Sequence, residues 1–315
     1  MNIGIIGSGK IVPTFIETSK MIRGFKLCAI FGRNEERLKT LKDKYDIGYY
    51  TTDYKDILND GNIDVVYIAL PNFRHYEYGK KALLHDKHVI MEKPFTHSYE
   101  TAKELVDIAR RRKLIIFEAI TTLYLPNFKK IKENINSIGK IRVVDLNFSQ
   151  YSSRYDNFRK GIITPVFDYR ECGGALMDLG VYNIHFAVGL FGKPLDVSYY
   201  PNIQRRIDTS GLLVLKYKDF VVSAINAKDS RGPTYINIEG EDGLICSDDG
   251  SNTIRRVNIG NKEYIEKKEL IHYYELKEFY RLYREKDLKK AREYNRETLV
   301  VSEILDRGLG YDHSK

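Results

Sequence analysis

Two sets of residues in this 315-residue chain have the types and spacing to move a proton. The first is Glu92-Lys93-Pro94, which follows the apolar run His88-Val89-Ile90-Met91 and precedes a helix-like stretch from Ser98 to Arg112. That context puts the tripeptide at the carboxyl end of a buried strand, where open α/β sheets place their ligand crevice. A lysine held there, with Pro94 constraining the adjacent backbone, can exchange a proton beside a bound cofactor once desolvation lowers its pKa. The competing reading is a solvated surface charge, the commonest state of a lysine. The second set is Asp178, Tyr182 and His185, which follow Gly173-Gly174 at i, i+4 and i+7. On a helix this spacing puts a carboxylate, a phenol and an imidazole on one face. The alternative is a polar face hydrogen-bonded within the core.

The N-terminus suggests what lies beside Lys93. An apolar strand at 2–6 runs into Gly7-Ser8-Gly9-Lys10-Ile11, and a helix follows. Glycines in such a turn allow the backbone to approach a pyrophosphate seated on the helix N-terminus. The third glycine of the usual pattern is replaced by Val12, and the strand–turn–helix context carries the assignment. An ordinary βα turn is the alternative. The next strand ends Phe31-Gly32-Arg33-Asn34. No acid stands where an NAD site offers one to the ribose 2′-hydroxyl, and Arg33 can pair with a 2′-phosphate, so NADP is favoured over NAD. Arg33 also reads as a helix-flanking surface residue. A further strand ends Ala69-Leu70-Pro71-Asn72, followed by Arg74-His75. Asn72 and His75 are candidates to position the nicotinamide ribose, with a surface histidine as the alternative.

The elements that must position these groups fall into two patterns. Strands at 2–6, 26–31, near 49, 65–70, 88–91 and 114–117 alternate with helices at 12–22, 35–44, 53–58, 74–84 and 98–112. Continuous apolar strands between helices predict a parallel sheet covered on both faces, a doubly wound α/β domain over 1–121. Beyond Pro126 a helix (128–136), a strand (141–151), a polar Tyr/Arg-rich loop and a helix (175–191) lead into strands at 197–200, 211–217, 220–227, 234–240, 243–247 and 253–258. Tight turns between these strands predict antiparallel hairpins. The second domain, 122–315, is expected to be α+β with a large, mostly antiparallel open sheet. Terminal helices at 273–284 and 295–307 are expected to pack back on the first domain.

Composition excludes several classes. Charged residues make up 30% and the net charge is +8, but cations and acids are intermixed. The densest basic run, Arg110-Arg111-Arg112-Lys113, closes a helix, where cations favour the negative dipole end, so a solvated helix end is preferred to a nucleic-acid surface. No apolar run is read as reaching the ~20 residues of a membrane span, and no signal peptide is visible. Cys28, Cys172 and Cys246 are odd in number and lack metal-ligand spacing, which argues against disulfides or a metal site and for a reducing, cytoplasmic compartment. Cys28 reads as a small core residue.

Together the glycine turn, Ala69-Leu70-Pro71-Asn72 with His75, Lys87-His88-Val89 into Glu92-Lys93-Pro94, and the stretch from Gly173 to Tyr182 resemble the Gfo/Idh/MocA family across essentially the whole chain. The branch most similar is that of dimeric dihydrodiol dehydrogenase and aldose dehydrogenases, on Glu118-Ala119, Pro126 and Ser153-Arg154-Tyr155-Asp156. The resemblance implies a Rossmann domain with an open-sheet α+β domain, NADP or NAD, and hydride transfer at an alcohol carbon of a sugar, cyclitol or diol. It implies Lys93 and Tyr182 as proton-transfer groups, with Asp178 orienting the substrate or the lysine. Tyr182 stands where many members carry histidine. Thr121-Thr122-Leu123-Tyr124 departs from the branch's Trp-Thr-Arg-Phe.

Unperturbed tyrosine and lysine both titrate near pH ~10, so one of Lys93 and Tyr182 must be shifted and the two are expected to titrate as a pair. Two rival functions share the fold: glycosidic cleavage through transient oxidation, and a non-catalytic NADP(H) sensor. Candidate substrate contacts are Tyr124, Tyr151, Arg154, Asp168 and His185, several of them on the loop from 151 to 170. The tyrosine-rich sheet, with Tyr199, Tyr200, Tyr217 and Tyr235, needs a cover, and the resemblance implies a homodimer through it.

Overall fold

The computed structural model describes residues 1–266 and 270–310. Its contacts divide the chain into two compact units: Met1–Ala119 with His272–Leu299, and Ile120–Ile271 with the residues from Val300 onward. Of the expected second domain, residues 267–269 and 311–315 lie outside the described residues.

In the first unit the strands are β1 (Asn2–Ile6), β2 (Lys26–Phe31), β3 (Tyr49–Thr51), β4 (Val65–Ile68), β5 (His88–Glu92) and β6 (Ile116–Ala119). They form a six-stranded sheet in the order β3-β2-β1-β4-β5-β6, parallel throughout. The helices between them are α1 (Ile11–Ser19), α2 (Glu35–Tyr45), α3 (Tyr54–Asn59), α4 (His75–Leu84) and α5 (Tyr99–Arg112). Each residue of β4 is buried, as a strand covered on both faces requires. Side chains also set the helix ends: Asn34 accepts from the Arg37 N–H and Ser98 from the Thr101 N–H, while Lys113 closes α5 in a left-handed conformation. The strand order reverses between β1 and β4, so the carboxyl ends of these strands are the switch point at which such sheets bind ligands.

The second unit contains α6 (Pro126–Asn134), β7 (Ile141–Ser149), α7 (Tyr155–Arg159), α8 (Val181–Phe191), β8 (Asp196–Gln204), β9 (Ile207–Lys216), β10 (Val221–Ala227), β11 (Thr234–Gly240), β12 (Gly243–Ser247), β13 (Arg256–Ile259) and β14 (Lys262–Ile265). The eight strands run β14-β13-β12-β11-β7-β10-β9-β8. All neighbours are antiparallel except β7 and β10, which pair in parallel at the centre. Two helices close the chain, α9 (His272–Glu285) and α10 (Leu288–Leu309). α9 packs on α1 and β6 within the first unit, where Phe279 meets Phe117 edge-on at 5.2 Å.

The structure departs from sequence expectation in several places. β14 and α7 had no clear signal, because β14 is short and mostly exposed and α7 sits in a polar loop. α10 starts at Leu288 rather than 295, since its first turns are charged and carry little apolar periodicity. The stretch Tyr169–Phe191 does reach the length and apolarity of a membrane span; 78% of its most apolar window is buried inside the fold, as in a core helix. Cys28 is half-buried rather than a core residue. The four sheet tyrosines do not share one face. Tyr199 and Tyr217 turn inward, their hydroxyls donating to Asp208 and to the Gly192 carbonyl, while Tyr200 is 64% exposed.

Candidate functional site

The glycine turn leaves β1 at Gly7, whose φ of 122° is in the region that favours glycine. A Cβ there would collide with the Ala69 carbonyl oxygen at the end of β4. The two strand ends are tied to their neighbours by Gly7 N–H to Phe31 O and Ala69 N–H to Ile6 O, both 2.9 Å. A Cβ on Gly9 would touch only the Ala69 oxygen, at 3.9 Å, so the fold itself leaves open space over this exposed residue. Open backbone at a β1–α1 turn fits a pyrophosphate. Arg37 latches the turn from α2, its Nε donating to Ser8 O at 2.5 Å. Sequence reasoning missed this residue; the signal was the Asn34 cap, which fixes Arg37 in the first turn of α2. Asn34 is thereby committed as a cap. Arg33 and Lys10 are exposed and make no ion pair among the described residues, and Ile11 is half-buried at the start of α1.

The end of β5 is braced by buried polar side chains. Tyr67 on β4 donates to Glu92 Oε1 at 2.5 Å. Desolvation raises the Glu92 pKa, Tyr67 opposes it, Glu275 adds to it, and His272 and Lys93 counter it. His272 Nδ1 lies 2.7 Å from Glu275 Oε1. Burial works to lower the His272 pKa, but this hydrogen bond and the Glu275 and Glu92 charges outweigh it and raise the value. The Lys93–Pro94 peptide is cis. Beyond it the Phe95 N–H donates to Glu118 Oε1 at 3.0 Å, and Thr298 donates to Glu118 Oε2 at 2.8 Å.

His75 is not placed as a ribose ligand. It has no exposed surface, and its ring nitrogens lie 2.9 Å from Pro94 O and 2.9 Å from Leu70 O. Burial lowers its pKa; the two carbonyl acceptors and Glu118 oppose that without cancelling it. The ring is a strut between the ends of β4 and β5. Asn72, in the short turn after Pro71, is half-buried, and Ala69 and Leu70 line the same strand end.

In the second unit Gly174, at φ 109°, enters the helix that carries Asp178 and Tyr182. A Cβ on Gly174 would collide with Asp208, a residue the sequence did not single out. Asp208 accepts from the Leu176 N–H and the Tyr199 hydroxyl, each at 2.7 Å. Burial pushes its carboxyl up to about 6 against those hydrogen bonds. Asp178 lies in a π-helical turn, Leu176–Gly180, so one α-helical stripe does not describe its placement. It pairs with Lys228, whose side chain is 5% exposed at the end of β10. Asp178 and Tyr182 are partly exposed, whereas His185 is wholly buried and does not share their accessible face. α8 is pinned to the sheet by Asn183 Nδ2 to Asn226 Oδ1 at 2.9 Å, with Ser251 donating to Asn183 Oδ1 at 2.7 Å.

The remaining substrate candidates are scattered in character. Tyr124 is 2% exposed. Tyr151 donates to Asp156 at 2.7 Å. Asp168 is held by the Arg170 guanidinium at 2.8 Å, which keeps its carboxyl below the usual range. Arg154 is half-buried just before α7. The loop is ordered by a small core of Tyr155, Phe158, Phe167 and Ile207. Among the described residues no His, Cys, Asp and Glu cluster could hold a metal ion.

Comparison with known proteins agrees with this arrangement. The family model GFO_IDH_MocA, described as an oxidoreductase family with an NAD-binding Rossmann fold, matches residues 1–120. The GFO/IDH/MocA C-terminal domain model matches residues 128–246. The chain is 33% identical to scyllo-inositol 2-dehydrogenase (NADP(+)) IolU of Bacillus subtilis, covering 96% of this chain and 94% of that protein. It is 28% identical to the trans-1,2-dihydrobenzene-1,2-diol dehydrogenase of Sus scrofa over 65% of this chain and 60% of that protein. The 3-ketoreductase KijD10 of Actinomadura kijaniata, solved with NADP and TDP-benzene, shares the fold at a TM-score of 0.86 and 20% identity, over 98% of this chain and 96% of that one.

His75→Leu provides a test of the strut. Urea denaturation of the cofactor-free protein should show a loss of about 1–3 kcal/mol, because the buried carbonyl oxygen that accepts the ring N–H loses its donor. A ribose ligand would leave that stability unchanged.

Proposed function

The chain belongs to the GFO/IDH/MocA oxidoreductase family, and we propose that within it the protein is an NADP-linked dehydrogenase acting on a secondary alcohol carbon of a cyclitol or sugar. As a family member it is an NAD(P)-dependent oxidoreductase acting on CH–OH groups. The finer reading is carried by the match over nearly the whole chain to an NADP(+)-linked inositol dehydrogenase. The exposed Arg33, just past the end of β2, supports the 2′-phosphate, and no acid stands in its place. The relatives reported above are dehydrogenases and a reductase, which favours this reading over glycosidic cleavage or a sensor.

A bound nicotinamide would supply or accept the hydride; Gly7 to Lys10 would hold the pyrophosphate, and Arg33 would pair with the ribose phosphate. Lys93 of the first unit and Tyr182 of the second are the groups assigned to the hydroxyl proton, and Asp178, itself paired with Lys228, orients the substrate. Tyr67, Glu92, Glu118 and His75 hold the turn that aims Lys93. We also propose a homodimer through the outer face of the second unit's sheet. Val143, Tyr200, Leu212, Val221 and Leu244 share that face by register and are 37–64% exposed. A reducing, cytoplasmic setting is the reading that suits three free cysteines.

NADP+ reduction with scyllo-inositol, myo-inositol, D-xylose and a trans-dihydrodiol tests the activity, and no turnover on any polyol would sink it. Lys93→Met should lower kcat by about 10²–10⁴-fold while NADPH affinity holds within a few-fold; undiminished turnover would remove Lys93 from the chemistry. Arg33→Ala should weaken NADP binding about tenfold or more, the worth of a charged hydrogen bond, and leave NAD binding unchanged. An equal loss for both cofactors would contradict the 2′-phosphate role. Light scattering should give the dimer mass for the native chain and the monomer mass for Leu212→Asp; a native monomer refutes the proposed interface.

A further inference from the structure

A cavity of about 490 Å³ lies in the first unit between residues 106–114 of the α5 end and residues 288–299 of α10. It contains none of the residues assigned above to cofactor or catalysis. Its walls carry Arg110 and Lys113 on one side and Lys289, Arg292 and Arg296 on the other, against one carboxylate, Asp107. Asp107 already pairs with Arg110 at 2.9 Å. The side chains of Lys113, Lys289, Arg292 and Arg296 make no hydrogen bond or ion pair among the described residues, and these residues are exposed. Lys289, Arg292 and Arg296 stand at i, i+3 and i+7, so they share one face of α10.

The basic run at the end of α5 alone would be a solvated helix terminus complementing the dipole. The second cationic wall changes that reading. Cations gathered around a concavity repel one another unless an anion lies among them. The floor is apolar, with Leu114, Ala291 and Leu299. Asn295, 6% exposed, also lines it and offers an amide donor and acceptor at that floor. The volume falls within the roughly 300–1,000 Å³ of small-molecule sites, which suits a single small ligand better than a polymer.

We propose that this cavity binds a nucleoside phosphate, with the base on the apolar floor against the Asn295 amide and the phosphates on Lys113, Arg292 and Arg296. The inference does not depend on which alcohol the enzyme oxidises.

The test is calorimetric titration of the NADP-saturated full-length protein with ATP and with pyrophosphate. ATP should bind at one site without displacing NADP. Arg292→Glu with Arg296→Glu should weaken ATP at least tenfold, and Asn295→Leu should weaken ATP but not pyrophosphate; NADPH affinity of the folded variants should stay unchanged. Absence of ATP binding, displacement of NADP by ATP, or ATP affinity indifferent to the arginine replacements overturns the proposal. Pyrophosphate binding as tightly as ATP removes the nucleoside from it. Tighter binding of a short RNA that is lost with the same arginines overturns it in favour of a nucleic-acid surface.

Discussion

The turn that presents Lys93 is buried backbone at the end of a buried strand, and buried backbone must be satisfied. The chain meets that demand with side chains rather than with another strand. His75 reaches Pro94 O, Glu118 takes the Phe95 N–H, and Tyr67 takes up Glu92. Each of these braces is itself buried, so each needs its own partner: Leu70 O for His75, Thr298 for Glu118. The position of one ammonium group thus depends on a chain of charged and polar contacts running from β4 through β5 and β6 to α10. Breaking a buried contact of this kind costs about 1–3 kcal/mol, more where a charge is involved.

The second unit uses the same device with different residues. Asp208 holds the entry to the helix through the Leu176 N–H, and its crowding against Gly174 leaves no room for a side chain there. Lys228 fixes Asp178, and the Asn183–Asn226–Ser251 network fixes α8 on β10. Tyr182 inherits its position from these contacts. Behind the partly exposed Asp178 and Tyr182, the groups that locate them are more numerous and lie deeper.

This division explains what could be read from the sequence. The parallel sheet was legible because its strands are apolar on both faces and its helices are punctuated by caps such as Asn34 and Ser98. The glycine turn and Lys93 were legible because local chain geometry places them at strand ends. Arg37, Asp208 and Lys228 were not, since their partners Ser8, Leu176 and Asp178 are distant in sequence and no spacing rule links them. His75 was found but misassigned: position near a strand end cannot tell a group that faces a ligand from one that faces the backbone beneath it. The π-turn at Leu176–Gly180 was invisible for a related reason, because one residue of slippage in a helix leaves no mark on apolar periodicity.

The first unit is discontinuous in sequence, and this has a consequence for biosynthesis. Residues 1–119 leave the ribosome long before 272–299, which complete the same unit. In the interval Phe117 lacks the ring of Phe279, and Glu118 lacks the hydroxyl of Thr298. The nascent sheet therefore waits with an apolar flank and a buried carboxylate uncovered while the whole intervening sheet is translated. Chaperone occupancy during translation belongs on that flank, and a truncated product ending before α9 would carry an exposed β6 rather than a finished nucleotide-binding domain.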